Sequence, residues 1–287
     1  MWTRRSVIAA AAVVPFAARA GDDTVGLIAE IEKRAGGRLG VAVLDTATGR
    51  RIGHRSGERF AMCSTFKLLL AGAVLHQADA GQEKLDRWMA YGKKDILPHS
   101  PVAQANLAKG GMTLARMAEA VVEDSDNTSA NALIALLGGP PAVTAYARSL
   151  GDPATRLDRT ELSLNTAIAD DPRDTTTPDA MLDDLERLTL GDALSRASRE
   201  KLTVWLIACN TAASRIPAGL PKSWKSGNKT GTGDNGATNN VAIVWPPGRK
   251  PLLMSVYFTE SRIALSAREK AIAEVASVVS ATLMADK

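Results

Sequence analysis

The stretch 240–259 reads NVAIVWPPGRKPLLMSVYFT, two short apolar runs at 240–245 and 252–259 on either side of a Pro-Pro-Gly cluster. Such runs around a turn signal form neighbouring antiparallel strands. The period is already two beyond Ser223, and a Gly-rich turn at 231–236 sets a third strand before them. Near the other end, residues 24–35 carry Val25, Ile28, Ile31 and Ala35 at helical spacing, and Gly36-Gly37 stops the helix. Residues 39–45 and 51–54 flank Ala47-Thr48-Gly49 and read as a hairpin. The middle of the chain is helical, with segments at 65–80, 114–122, 130–137, 142–150, 179–188 and 199–208 and no good strand among them. Thr177-Pro178 places an N-cap and a first-turn proline, and Gly138-Gly139-Pro140-Pro141 breaks two helices apart. Ser266 and Glu269 read as a capping box opening a last helix with Ile272, Val275, Val279 and Leu283. The expected fold is therefore α/β: an antiparallel sheet flanked by helices, completed by both chain termini, with an inserted all-helical domain. The expected boundaries are a leader at 1–20, an α/β domain at 21–60 and 209–287, and the helical domain at 61–208.

Length and composition agree with a globular protein. At 287 residues, 45% hydrophobic and 23% charged, the chain can bury a large core, which excludes disordered, fibrous and coiled-coil classes. Residues 1–20 combine Arg4 and Arg5, an apolar run at 7–18 and a small-residue site at Ala18-Arg19-Ala20, the pattern of a secretory signal. That run is short of the ~20 residues needed to span a bilayer. Thr3-Arg4-Arg5-Ser6-Val7 also resembles a twin-arginine export signal in part, so a periplasmic address is expected, by that route or the general one. Without the leader, 32 basic residues face 31 acidic ones and no run of five like charges occurs. No nucleic-acid partner, no membrane contact after removal of the signal, and a monomer are expected.

Cys63 and Cys209 are the only cysteines, too few for a disulfide framework, and both are expected to be unpaired. His54, His76 and His99 are scattered, and neither C-x-x-C nor H-E-x-x-H occurs, so no metal and no cofactor is expected. No G-x-S-x-G elbow is present, which points any nucleophile toward a base other than histidine.

Three short motifs carry chemistry. Ser64-Thr65-Phe66-Lys67 opens a helix, so a hydroxyl and an amine lie one turn apart on one face, beside free backbone N–H groups that suit an oxyanion. Alone, Ser64 reads first as a helix cap, and S-x-x-K recurs at Ser198 with Lys201 and Ser226 with Lys229. Ser125-Asp126-Asn127 falls between two helices, where such residues also simply turn the chain. Lys229-Thr230-Gly231 runs into the Gly-rich turn; Lys225-Ser226-Gly227 is a competing match.

In this order, S-x-x-K, S-D-N and K-T-G resemble the signature of class A serine β-lactamases and penicillin-binding proteins. Arg159-Thr160-Glu161-Leu162-Ser163-Leu164-Asn165, with Arg173-Asp174, is similar to that family's Ω-loop, spanning about 156–174 here. Without the family context Glu161 is simply a solvated loop acid. The resemblance to a class A β-lactamase covers essentially the whole chain after the leader. It implies hydrolysis of the β-lactam ring of penicillins and cephalosporins through a serine acyl-enzyme, giving antibiotic resistance. Ser64 is then the nucleophile, with Lys67, Ser125, Glu161 and Asn165 as its catalytic partners. Asn127, Lys229, Thr230, Gly231, Thr232, Arg215 and His99 are the implied substrate-binding residues, and Arg159 with Asp174 pins the loop. Whether neutral Lys67 or Glu161 deprotonates Ser64 stays open. Leu162 stands where many members carry proline, His99 where an aromatic often gates the site, and Gly233 where some carry a cysteine that pairs beside the nucleophile. The alternatives are a penicillin-binding DD-peptidase, which lacks the Glu-x-x-x-Asn loop, and a penicilloyl sensor that acylates and stops. Thr232 and Asp234 border the implied pocket, with a bias toward cephalosporins.

Overall fold

The computed structural model describes residues 17–285; most of the expected leader, with its paired arginines, lies outside the described residues. Strands β1 (Arg38–Asp45) and β2 (Arg50–His54) form the predicted hairpin. Its turn is built by Asp45, whose carboxylate accepts from Ala47 N at 3.0 Å and Thr48 Oγ1 at 2.8 Å, while Gly49 takes a φ of +76°. The C-terminal strands are β7 (Lys225–Thr232), β8 (Thr238–Trp245) and β9 (Leu252–Thr259). With β1 and β2 they make one antiparallel sheet in the order β2-β1-β9-β8-β7. Both ends of the chain thus complete the sheet, as expected.

One face of the sheet packs on α1 (Ala17–Ala35) and α10 (Leu265–Ala285), with Ile28, Val41, Met254, Ile272 and Val275 buried between them. The other face presents Leu44, Ile243, Leu253 and Tyr257 to the helices of the middle of the chain. These are α2 (Lys67–Asp79), α3 (Pro101–Ala105), α4 (Leu114–Glu123), α5 (Asn127–Leu137), α6 (Pro140–Ser149), α7 (Pro178–Thr189) and α8 (Arg196–Ile207), followed by a short α9 (Ile216–Gly219). Helix α2 is buried on all sides, from Leu68 through Leu75, which explains why it shows no amphipathic stripe. Each fully buried leucine there contributes ~1.5–3 kcal/mol.

Three readings of the sequence are corrected. The helical stretch is interrupted by three short strands that belong to two small antiparallel pairs. Strand β4 (Trp88–Ala90) pairs with β5 (Gly111–Thr113), and β3 (Phe60–Ala61) pairs with β6 (Thr175–Thr176). Two or three residues are too few to show a period of two. The helix expected at 65–80 opens as a 3-10 turn over Cys63–Phe66 before α2. Finally, α10 starts at Leu265, with Arg268 N bonded to Ala264 O at 3.1 Å, so Ser266 lies inside the helix rather than capping it.

Candidate active site

Lys67 is the first residue of the buried helix α2, and its side chain has no exposed surface. A dry ammonium must be surrounded by acceptors. Its Nζ donates to Ser64 Oγ at 3.0 Å, Ser125 O at 2.8 Å and Asn127 Oδ1 at 2.6 Å, with Ser125 Oγ at 3.3 Å and Glu161 Oε1 at 2.9 Å. Burial pushes the Lys67 pKa below that of an ordinary lysine, against the opposing pull of Glu161. The predicted helical turn between Ser64 and Lys67 therefore brings hydroxyl and amine into contact. The neighbouring thiol of Cys63 is buried and its pKa is pushed up to about 12 by that burial, so it is an inert packing group. Both cysteines are free.

The nucleophile segment is clamped against the sheet. Asn239 of β8 donates to Ala61 O at 2.9 Å and Met62 O at 3.0 Å, while Thr65 Oγ1 donates to Met62 O at 2.8 Å and meets Tyr257 Oη at 2.9 Å. Gly231 is required for this closeness, since a Cβ there would lie 2.6 Å from Met62 O. Gly233 has the same role next door. A Cβ on it would meet Asn165 O at 2.5 Å and Cys63 Sγ at 2.6 Å.

Ser125, at a φ of +59°, sits between two lysines: its Oγ accepts from Lys229 Nζ at 3.1 Å as well as from Lys67. Lys229 is also fully buried and donates to Thr230 O at 3.0 Å. Burial, reinforced by the positive charges of Lys67 and Arg215, lowers its pKa to about 7, although the Cys209 thiol and Glu161 pull the other way. Asp126, the middle of the S-D-N motif, points away from the site. It caps α5 by accepting from Ser129 N at 2.9 Å and ties down α3 through Val102 N at 3.0 Å and Ala103 N at 2.9 Å. Asn127 faces inward, donating to Pro98 O at 2.9 Å while its Oδ1 holds Lys67.

Glu161 reaches the site from the loop between α6 and α7. The neck of that loop is closed by the buried Asp174, which accepts from Asp158 N at 2.7 Å, Arg159 N at 2.9 Å and Arg159 Nε at 2.5 Å. Asn131, one helical turn beyond Asn127 on α5, clasps the Glu161 backbone with a reciprocal pair of 2.9 Å bonds. The Glu161–Leu162 peptide is cis. The Glu161 side chain is fully buried, with Oε1 3.5 Å from Ser64 Oγ and Oε2 accepting from Asn165 Nδ2 at 2.6 Å. Asn165 Oδ1 is buried and has no partner among the described residues.

A cleft of about 490 Å³ opens over these groups, lined by Ser64, Ser125, Asn127, Asn165, Thr230–Asp234, His99, Leu162, Thr211 and Arg215. Every candidate residue is thus in or directly beneath one cleft. His99 is exposed at its rim, and its backbone carbonyl accepts from Asn127 N at 3.1 Å. Arg215 lines the cleft but is heavily engaged. It donates to Glu269 Oε1 at 3.2 Å, Gly231 O at 3.0 Å, Asn239 O at 2.8 Å and Thr232 Oγ1 at 2.7 Å. Thr211, Asn131 and Asn239 escaped the sequence reading; Thr211 Oγ1 meets Thr230 Oγ1 at 2.6 Å. Among the described residues no cluster of histidine, cysteine or carboxylate side chains is arranged to hold a metal. A second cavity of about 420 Å³ behind the loop, between Arg59 and Pro172, contains none of the candidate residues.

Comparison with known proteins shows the family. Residues 26–283 match a family described as the β-lactamase enzyme family. The chain is similar to Beta-lactamase CTX-M-97 of Escherichia coli, 49% identical over 87% of this chain and 85% of that one. It is 44% identical to Beta-lactamase OXY-1 of Klebsiella oxytoca over 96% of this chain and 97% of that one. Among solved structures, an ancestral class A β-lactamase superposes with a TM-score of 0.88 at 56% identity, covering 89% of this chain and 98% of that one. A protein described as a putative class A β-lactamase from Rhodopseudomonas palustris gives a TM-score of 0.89 at 51% identity, covering 91% and 99%.

Proposed function

We propose that this chain, which belongs to class A of the β-lactamase enzyme family, hydrolyses the β-lactam ring of penicillins and cephalosporins and so confers antibiotic resistance. The observation that carries the reading is the Glu161 carboxylate, buried 2.9 Å from Lys67 Nζ and 3.5 Å from Ser64 Oγ with Asn165 bonded to its far oxygen. In this reading Ser64 Oγ attacks the ring carbonyl, its proton passing to neutral Lys67 or through a water to Glu161. The C–N bond then breaks, and Ser125, held between Lys67 and Lys229, returns a proton to the departing ring nitrogen. The backbone N–H groups of Ser64 and Thr232 hold the oxyanion. Glu161 next takes a proton from a water held by Asn165, whose attack on the ester releases the ring-opened acid and restores Ser64.

Thr230, Gly231 and Thr232 line the place for the substrate carboxylate, with the ammonium of Lys229 buried beneath them. Arg215 acts there chiefly through Thr232, the acceptor of its Nη2. Asn127 orients the side-chain amide, and His99 and Leu162 border it at the rim. In the same reading the division into an α/β part (21–60 and 209–287) and a helical part (61–208) puts the cleft along their seam. The leader pattern at 1–20 supports export to the periplasm by the twin-arginine or the general route, and the chain acts there, in this reading, as a monomer. No helix among the described residues is long and apolar enough to cross a membrane.

Steady-state assay of purified protein with a chromogenic cephalosporin tests the reading. Many products per active site are expected; a single burst of one product per site would instead mark a protein that acylates and stops.

A further inference from the structure

Helix α7 carries an acid that the active site does not use. Asp184 has no exposed surface and sits in the core between α7 and the chain that follows α6. Both of its carboxyl oxygens are buried, and no N–H or hydroxyl among the described residues reaches them. The side chain it meets at hydrogen-bonding range is Asp152, 2% exposed, whose carboxylate is itself an acceptor for Ala154 N at 2.6 Å and Thr155 N at 3.0 Å. Two acceptors face each other in a dry pocket. They can bond only if one of them carries a proton.

The surroundings do not supply a neutralising cation. On α7 itself, Asp183 adds negative charge and Arg187 opposes it, but the Arg187 guanidinium lies over Gly151, within 3.5 Å of where a Cβ would stand, and forms no ion pair with Asp184 among the described residues. From α6 comes Tyr146, whose buried hydroxyl is also without a partner among the described residues. Behind it on α2 stand His76, its ring tilted against the Tyr146 ring with centroids 5.5 Å apart, and Asp79. From the sheet comes Tyr257 of β9, a neutral phenol. Burial and the Asp152 charge together push the Asp184 pKa up to about 9.

Asp152 holds the chain just where it enters the Ω-loop. Directly after its two bonded amides, Thr155 Oγ1 meets Thr176 Oγ1 at 2.6 Å and Arg156 N donates to Thr175 O at 2.9 Å, closing the incoming and outgoing arms against each other. We infer that Asp184 is kept as a neutral carboxylic acid whose proton bridges to Asp152, and that this shared proton is a pH-sensitive clamp between α7 and the neck of the Ω-loop. Ionisation of Asp184 leaves two facing carboxylates and opens the clamp.

The sign of the effect is fixed by linkage. An unfolded aspartic acid ionises near pH ~4. The folded chain keeps the Asp184 proton up to about pH 9, so this group's stabilisation is lost steadily as pH rises between those limits and changes no further above them. Asp184→Asn keeps the shape, donates Nδ2–H to Asp152 and cannot ionise. Thermal unfolding of wild type and Asp184→Asn across pH 5–10 is expected to show the variant's lead in melting temperature widening up to about pH 9 and then levelling. Parallel profiles would overturn the inference. Independently of whether the variant folds, the infrared spectrum of the wild type at pH 7 is expected to contain a protonated-carboxyl band that fades above about pH 9. An ionised pair bridged by a water or a cation gives no such band and equally overturns it.

Discussion

Gly231 shows how much a single side chain controls here. With Met62 O only 2.6 Å from where its Cβ would be, Gly231→Ala must push β7 off the nucleophile segment. A fall in kcat/KM of about tenfold or more, from a displacement of a fraction of an ångström, is expected in steady-state assays. Lys229 makes a second prediction. Its ammonium lies buried beneath the carboxylate subsite and loses its proton at about pH 7 in the free enzyme. A bound carboxylate favours the charged form, so kcat/KM should decline as pH rises through about 7 while kcat holds to higher pH. Superimposable profiles of the two constants would contradict this. Ser64, Lys67, Ser125 and Lys229 were legible because short motifs with fixed spacing encode them. Asn131, Thr211 and Asn239 were not: each acts by a contact across the fold, to Glu161, Thr230 and the Met62 carbonyl, that no local spacing announces. Asp126 is the converse, a motif residue whose carboxylate serves the backbone of α3 and α5.

Among the elements, the Ω-loop carries the most consequence for its length. Its Glu161 is delivered by three restraints: the Arg159–Asp174 pair at the neck, the Asn131 clasp, and the Asn165 contact. Asp174 is wholly buried, so Asp174→Ala leaves Arg159 and two backbone N–H groups without their acceptor. A loss of ~3–5 kcal/mol in chemical unfolding is expected. Asn131→Ala, outside the neck, should instead lower the deacylation rate with little change in unfolding midpoint, measured by single-turnover kinetics. The sequence between Leu150 and Pro178, with Pro153, Pro172 and several aspartates, is too long and too polar for a plain connection, which is how the loop shows in it. Its function was visible only by resemblance, because a loop glutamate carries no periodic signal. The β4–β5 and β3–β6 pairs were missed for the same physical reason, having two or three residues each.

The whole molecule is legible to the extent that its cores are periodic. The strands at 240–259 and the first hairpin fix a sheet completed from both ends, and the two hydrophobic clusters on its faces account for α1 and α10 on one side and the helical stretch on the other. What periodicity cannot supply is the seam, where the buried α2 brings Lys67, and the loop brings Glu161, to the same hydroxyl. The central claim is that this convergence frees the enzyme from its own acyl intermediate. Mass spectrometry of Glu161→Ala after mixing with a cephalosporin tests it most directly. The account predicts one drug-derived adduct on Ser64 that persists, with turnover reduced ~10²- to 10⁴-fold, while the wild type returns to its unmodified mass. A variant that clears the adduct as fast as the wild type would contradict it.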